Sequence, residues 1–294
     1  MNLNSMMESL ANLEWWKVLI IVAVLFGIRF ALIKQENKAA KSVAETAESL
    51  AVAMALVFFL IRPFIVQAFF IPSASMHPGL LENDHILVNK FVYRVKQPAR
   101  GDVVVFKSPP EASPDGVERD FIKRVVGVPG DVVQITQGYV IIGTEQYNHA
   151  DLRSLLGTPG RATRIKLLDN RIFVNNKEVT KAEVAAAAGE PKAKVKIVPG
   201  KVFLDGKALD EPYTAEDSDS IYPGLPNELV DRKWIVVNKK GEQMVKIPQG
   251  RLLVMGDNRN DSNDSRYWGL LDRQKVLGKA MFIFWPLNRV RMVR

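Results

Sequence analysis

The sequence predicts a mainly β protein that two N-terminal helices anchor in a membrane. Two long apolar runs lie before residue 65. Beyond them, short β-branched runs alternate with turns rich in Gly, Pro, Asp and Asn, a pattern typical of strands joined by tight connections. Frequent short strands of this kind favour an antiparallel sheet. We therefore expect two transmembrane helices followed by an antiparallel β domain.

The first apolar run, WWKVLIIVAVLFGIRFALI, covers residues 15–33 and contains only two charged side chains, Lys17 and Arg29. Its length suits one bilayer crossing, with the paired tryptophans at one interface. A cleavable signal peptide is the alternative, but no basic stretch precedes the run and no Ala-x-Ala site follows it. The second run, taken over 47–64, lacks the polar face of an amphipathic core helix. It predicts a second crossing.

Basic residues predict the orientation of the two spans. The first 14 residues contain no Lys or Arg, whereas the connecting segment 34–46 contains three lysines. Under the positive-inside rule this segment is a cytoplasmic loop. Residues 1–14 are then an external tail, and residues 65–294 form an extracytoplasmic domain.

The composition excludes several chemistries. The 294-residue chain has no cysteine, which excludes disulfides, thiol catalysis, cysteine zinc sites and iron–sulfur clusters. With only three histidines, we expect no metal and no other cofactor. The formal net charge of +8 suits either nucleic acid or an anionic membrane surface. The apolar N-terminus favours membrane lipids as the partner, with no nucleic acid.

An internal similarity predicts two β-hairpins. Residues 171–179 and 201–209 share a pattern, and their centres, Asn175-Asn176 and Asp205-Gly206, suit tight two-residue turns. We expect paired hairpins within one subdomain.

Three segments carry residues that suit catalysis. The segment 71–80 has two serines separated by one small residue, the segment 120–131 places Lys123 among apolar residues, and the segment 255–269 is densely polar. Each has an alternative interpretation: a turn, a strand-edge lysine, and a solvated or calcium-binding loop. Arg259 occupies the place of a metal ligand in the last. His77 lies two residues from Ser75, so the two side chains do not naturally face each other.

Together these segments resemble the bacterial type I signal peptidase family, serine–lysine proteases that remove signal peptides from exported proteins. The resemblance runs from the two apolar spans to the strand KAMFIFW at 279–285, and it includes the segments 100–106 and 210–213. The long stretch at about 132–250 is similar to the insertion in the enzymes of Gram-negative bacteria. It implies a β-rich cap subdomain inserted in the catalytic domain.

The resemblance implies a role for individual residues. Ser75 matches the nucleophile, Lys123 the general base, and Ser262 the serine that orients the lysine. The hydroxyl of Ser73 and the backbone N–H of Ser75 match the oxyanion hole. The supporting ion pairs match Arg124 with Asp257 and Asp264 with Arg266. The residues that match the substrate-binding walls are Phe69, Ile71, Pro72, Met76, Leu80, Phe121 and Ile122.

The family also implies a substrate and a place. It cuts secretory preproteins through an acyl-enzyme after small residues, at sites of the Ala-x-Ala type. Its members are multi-pass proteins of the bacterial inner membrane, with the catalytic domain on the periplasmic side. This chain departs from the usual family residues at three positions, where Ala74, Gly79 and Phe121 replace Gly, Thr and Tyr.

The residues themselves are consistent with this chemistry. A serine hydroxyl is a weak nucleophile until a base removes its proton, and a lysine becomes a base only when burial disfavours its charged form. Two alternatives remain: a narrow-specificity serine–lysine peptidase for one pilin or conjugation protein, and a membrane-anchored β scaffold with inert serines. The spans and the lack of a helix-turn-helix segment argue against the self-cleaving serine–lysine repressors.

Overall fold

The computed structural model describes residues 14–35, 37–61, 65–157, 163–168, 170–224 and 234–294. The expected external tail therefore lies outside the described residues, apart from residue 14. Two helices near the N-terminus are long and apolar enough to cross a membrane. Mainly antiparallel strands follow them, as the sequence predicts.

The two N-terminal helices pack against each other. Helix α1 covers Trp15–Leu32, and helix α2 covers Lys38–Ala55 and continues as a π-helix over Leu56–Ile61. Arg29 pairs with Glu48 across the two helices. Most of the segment 34–46, expected as a loop, is therefore helical.

Local sequence explains the early start of α2. The side chain of Asn37 accepts a hydrogen bond from the backbone N–H of Ala39 at 2.9 Å, which caps the helix. The residues that follow include several alanines and lysines, which are strong helix formers. Hydropathy marks where a helix becomes apolar, whereas the cap decides where it begins.

The described residues beyond 65 contain nineteen strands and four short α-helices. The strands are β1 Val66–Phe70, β2 His85–Asn89, β3 Val103–Lys107, β4 Asp120–Gly127, β5 Val132–Thr136, β6 Tyr139–Ile142, β7 Glu145–Asn148, β8 Ile165–Leu168, β9 Arg171–Val174, β10 Lys177–Val179, β11 Val195–Val198, β12 Lys201–Leu204, β13 Lys207–Ala208, β14 Ile235–Val237, β15 Gln243–Lys246, β16 Arg251–Met255, β17 Leu271–Asp272, β18 Val276–Trp285 and β19 Arg291–Met292. The helices are α3 Val92–Val95, α4 His149–Leu156, α5 Lys181–Ala187 and α6 Ser265–Trp268.

Strand pairing separates a main sheet from the inserted region. The main sheet has the order β1-β2-β18-β3-β4-β16-β17, with β19 beside β18. Strands β5 to β15 form three smaller sheets with the orders β10-β9-β8, β11-β6-β7 and β13-β12-β5-β15-β14. The described strands of the predicted 132–250 insertion thus belong to sheets of their own, and we call this region the cap.

Both predicted hairpins form. Their turns have positive φ at Asn175, Asn176, Asp205 and Gly206, as tight two-residue turns require. However, β9–β10 and β12–β13 belong to different sheets. The two hairpins resemble each other in sequence without pairing with each other, because strand partners depend on packing across the cap.

Alternation along β3 builds a core on each face of the main sheet. Val103 and Val105 belong to one buried cluster, and Val104 and Phe106 belong to another. A third cluster joins the five-stranded cap sheet to β4 and β16, and a fourth lies within the cap. All four clusters are built from residues beyond 68, so the β domain has its own cores.

A chain shortened to begin at Ile65 should therefore fold without α1 and α2. The expected result is a native β-type circular dichroism spectrum with ordered aromatic signals, compared with the full chain in the same detergent. A shortened chain that keeps secondary structure but loses its near-ultraviolet signals would show that the helices contribute to the packing of the cores.

Candidate active site

The two predicted catalytic side chains meet in the main sheet. Ser75 lies in a 3₁₀ turn, Ala74–Met76, that follows the edge strand β1. Lys123 lies on β4, and its Nζ is 2.7 Å from Ser75 Oγ. The same ammonium group donates to the carbonyl of Ile122 at 2.9 Å. The spatial contact links two residues that are 48 positions apart.

Lys123 is buried, with 5 % of its surface exposed. Its Nζ lies 5.6 Å from the centre of the Phe121 ring. Burial lowers the pKa of Lys123 to about 8, the nearby carboxylates of Asp264 and Asp257 oppose this decrease, and the Arg266 guanidinium adds to it. A substantial neutral fraction therefore exists slightly above neutrality. The site thus holds a buried lysine whose amine is easier to deprotonate than that of an exposed lysine.

Two further serines, Ser73 and Ser262, were predicted beside this pair, and only Ser73 has a hydrogen bond to it. Ser73 Oγ lies 3.4 Å from Ser75 Oγ on an exposed stretch of chain. Ser262 Oγ is buried and makes no hydrogen bond to Lys123. The amine of Lys123 instead bonds to Ser75 and to the Ile122 carbonyl. The predicted Ser262–Lys123 contact is therefore not observed.

Gly256 is required by a close approach of backbone to backbone. A Cβ atom at this position would lie 2.4 Å from both the carbonyl oxygen of Ser75 and the Oγ of Ser262. Any larger residue would push the turn Ala74–Met76, which carries the predicted nucleophile and is called the nucleophile turn below, away from the segment 255–269, called the polar loop below. The glycine lets the loop at 255–269 pack directly behind Ser75.

The predicted pair of Arg124 and Asp257 forms beside Lys123. Arg124 Nε and Nη2 donate to the two carboxylate oxygens of Asp257 at 2.8 and 2.7 Å. Both side chains are almost fully buried, at 3 % and 1 % exposure. Arg124 also donates to the carbonyl of Gly101, and its guanidinium lies 4.0 Å from the centre of the Tyr213 ring. This bidentate pair removes one net charge from the surroundings of the lysine.

The second predicted pair, Asp264 with Arg266, is also buried and bidentate, with two contacts of 2.9 Å. Burial acts to raise the pKa of Asp264, but the Arg266 guanidinium and the backbone N–H of Gly256 outweigh burial and hold this pKa below its usual range. Asp264 therefore remains ionised, and its bond to Gly256 fixes the start of the polar loop.

The predicted substrate-binding residues fall into three positions. Ile71, Met76, Leu80 and Ile122 belong to one buried cluster, and Phe69 packs against this cluster. Phe121 packs instead in the cluster on the other face, 6.2 Å between ring centres from Phe106. Pro72 is exposed. The structure thus groups five of the seven around the nucleophile turn.

Sequence reasoning missed the residues that hold this turn. Asn258 donates its backbone N–H to the carbonyl of Ser75 and its side-chain amide to the carbonyl of Ala74, each at 3.1 Å. Arg259 makes a buried bidentate pair with Glu211. Asn258 and Arg259 lie in the densely polar segment 255–269, and Glu211 lies in the segment 210–213. Both segments carry the family resemblance, so these residues could have been found from the sequence. Among the described residues, no group of three acidic or histidine side chains is arranged to bind a metal ion.

Comparison with known proteins adds a family match over most of the chain. A family model described as signal peptidase, peptidase S26, matches residues 43–156 and 152–285. A signal peptidase I of Aquifex aeolicus is 32 % identical over 237 residues, which cover 78 % of this chain and 80 % of that protein. A probable signal peptidase I-2 of Synechocystis is 30 % identical over 233 residues, covering 79 % and 69 % respectively.

A solved structure of a signal peptidase I from Enterococcus faecalis V583 matches 63 % of this chain and 97 % of its own chain at 19 % identity. The TM-score is 0.25, which is too low for a comparison of the two folds.

The Arg124–Asp257 pair generates a prediction about stability. Asp257→Asn leaves the Arg124 cation buried without its counter-charge, so the free energy of unfolding should fall by about 3–5 kcal/mol. Urea unfolding at neutral pH measures the change. Asp115→Asn is the matched control because its pair with Arg119 is half exposed on both sides, and water replaces such a partner easily. Equal effects of the two substitutions would contradict this account.

Proposed function

Since this chain belongs to the signal peptidase family, peptidase S26, we propose that it is a membrane-bound serine endopeptidase that removes N-terminal signal peptides from exported preproteins. The observation that supports this proposal most directly is the 2.7 Å contact between Lys123 Nζ and Ser75 Oγ in a buried site.

The proposed reaction starts from the neutral amine of Lys123. This amine takes the proton of Ser75 Oγ as the oxygen attacks the scissile carbonyl, and a tetrahedral intermediate forms. The Lys123 ammonium then returns the proton to the leaving amine, the C–N bond breaks, and Ser75 carries an ester. A water molecule that gives its proton to Lys123 attacks this ester, and the acid product leaves as Ser75 regains its proton.

The tetrahedral intermediate requires hydrogen-bond donors directed at its oxyanion. The backbone N–H of Ser75 and the hydroxyl of Ser73 are the proposed donors. Ser73 Oγ is exposed and 3.4 Å from Ser75 Oγ, so it is accessible to a substrate carbonyl that approaches the nucleophile. Asn258 supports this arrangement by binding the carbonyls of Ala74 and Ser75, which leaves the N–H of Ser75 free to point the other way.

The proposed specificity is for small residues at the −1 and −3 positions of the preprotein. The side chains of Ile71, Met76 and Leu80 are packed at 1–2 % exposure around the nucleophile turn. A large substrate side chain would have to displace these packed walls, at a cost of about 1–3 kcal/mol. Alanine at both positions avoids this cost.

The proposed location is the bacterial inner membrane, with the β domain on the periplasmic side. Helices α1 and α2 are the two candidate spans, and the lysines near their connection favour a cytoplasmic position for that end under the positive-inside rule. Strand β1 begins at Val66, only a few residues beyond the π-helix that ends at Ile61. In the proposed orientation Ser75 lies close to the periplasmic surface of the inner membrane, where a translocated preprotein exposes its cleavage site.

The first test incubates the purified chain with a secretory preprotein and determines the mass of the products. Cleavage should occur after a small residue, and Ser75→Ala should abolish it. Ser154→Ala is the matched control because its hydroxyl lies on an exposed face of α4 in the cap. A Ser75→Ala chain that still cleaves would exclude this nucleophile. Full-length chain without any cleavage would favour a membrane-anchored scaffold, and cleavage of one pilin-type substrate alone would favour the narrow-specificity alternative.

The base generates a second prediction. Because burial lowers the pKa of Lys123 to about 8, kcat/KM should be low in acid and rise with pH through this value as the amine loses its proton. Lys123→Arg should abolish cleavage, since a guanidinium stays protonated. Lys107→Arg is the control, because this half-exposed lysine on β3 pairs with Asp120. A Lys123→Arg chain with a near-native rate would eliminate lysine as the base.

A further inference from the structure

One stretch of the cap reaches the polar loop behind Ser75. We call residues 210–220 the inner segment. Its central residues Glu216, Asp217 and Ser218 are only 4 %, 7 % and 2 % exposed, although all three are polar and lie outside regular strands and helices. Buried polar groups require partners, and the inner segment finds them on two sides.

The first side is the cap itself. The carboxylate of Asp217 accepts hydrogen bonds from the backbone N–H groups of Leu167 and Gly200, both at 2.9 Å. The carbonyl of Ser218 accepts the N–H of Gly138 at 3.0 Å. Residues from different cap sheets thus bind the same short segment, and its position is set by the cap.

The second side is the polar loop of the main domain. Asn260 donates its backbone N–H to Glu216 at 3.1 Å and its amide to the carbonyl of Asp217 at 3.0 Å, and it accepts the N–H of Asp219 at 2.9 Å. Three hydrogen bonds to one asparagine align the inner segment with the loop.

The strongest contact between the two is the pair of Glu211 and Arg259. Two guanidinium nitrogens donate to the two carboxylate oxygens at 2.9 and 2.5 Å. The side chains are 10 % and 3 % exposed, and the Tyr213 hydroxyl donates to the same carboxylate at 3.0 Å. A buried bidentate pair of this kind fixes both the position and the plane of the guanidinium.

Arg259 in turn bonds to a residue that contacts the nucleophile turn. Its Nε donates to the carbonyl of Gly256 at 3.0 Å. Gly256 packs against the carbonyl of Ser75, and Asn258 binds the carbonyls of Ser75 and Ala74. The turn 256–258, which Arg259 holds from behind, is therefore the part of the polar loop that contacts the nucleophile backbone.

We propose that Glu211 is a positioning residue of the active site, which acts through Arg259 to hold the 256–258 turn against Ser75 and so couples the cap to the nucleophile. The inference rests on the proposed function. It gives the cap a role in catalysis without any contact between Glu211 and the substrate.

The test substitutes Glu211→Gln, which keeps the shape of the side chain and removes its charge. The kcat for preprotein cleavage should fall by about 10²-fold, as expected for a small misplacement of a reacting group. KM should be unchanged because Glu211 acts through Arg259 and is not itself one of the predicted substrate-binding residues. Glu178→Gln is the matched control, since it makes the same change at an exposed cap pair and should leave kcat as it is.

Further variants separate positioning from folding. Glu211→Asp should recover part of the lost kcat, because it restores the charge. Glu211→Gln combined with Arg259→Gln should be no slower than Arg259→Gln alone, because one contact is being removed. Tyr213→Phe removes the hydroxyl that donates to Glu211 and keeps the aromatic ring. It should lower kcat by a smaller factor, because the pair of Glu211 and Arg259 remains.

Three results would overturn the inference while wild-type cleavage leaves the proposed function standing. These are a Glu211→Gln chain with native kcat, a loss confined to KM, and losses that multiply in the double variant. A wild-type chain that cleaves no preprotein would overturn the proposed function and this inference together.

Discussion

The burial of one amine governs the design of this molecule. A lysine ammonium is stable in water, and the pKa of Lys123 falls chiefly because burial in the protein removes the amine from solvent. The same burial would be expensive if Lys123 lacked partners, and the bonds to Ser75 and the Ile122 carbonyl supply them. A strand in the middle of a sheet is a suitable place for such a group, because the strands on either side of β4, which are β3 and β16, shield it from solvent.

Every other charge near the lysine is neutralised locally. Arg124 and Asp257 form one pair, and Asp264 and Arg266 form a second. A lone buried cation near Lys123 would lower its pKa further, and a lone carboxylate would raise it. With both signs balanced, the pKa depends chiefly on desolvation and stays in a range that suits a base. The dense polar composition of residues 255–269 follows from this requirement, and so does the glycine that lets the loop approach Ser75.

The separation between cap and main sheet is incomplete for the same reason. A polar loop that is buried behind a nucleophile needs partners on its far side, and the inner segment of the cap provides them through Asn260 and Arg259. The cap therefore shares a hydrophobic cluster with β4 and β16 on one side and a hydrogen-bond network with the polar loop on another.

The sequence by itself determined the classes of structure and the candidate reacting groups. Two apolar runs, alternating short strands and two tight turns are local patterns, so the helices, the mainly β fold and the hairpin turns could be predicted. Ser75 and Lys123 were found because their segments match a known family. Local detail also mattered for the helices. The side chain of Asn37 caps the N-terminus of α2, which therefore begins at Lys38, whereas hydropathy alone suggested residue 47.

Only the tertiary structure decided which groups meet. The bond between Asn258 and Ala74 joins residues 184 positions apart, and the Arg259–Glu211 pair joins residues 48 apart. Such contacts follow from strand order and from packing between sheets, which a periodic pattern in one segment does not encode. The family resemblance implies that Ser262 orients the lysine, and in the structure the Lys123 amine bonds to Ser75 and the Ile122 carbonyl. A motif identifies the residues, but the packing of neighbouring strands and loops determines the direction of each side chain.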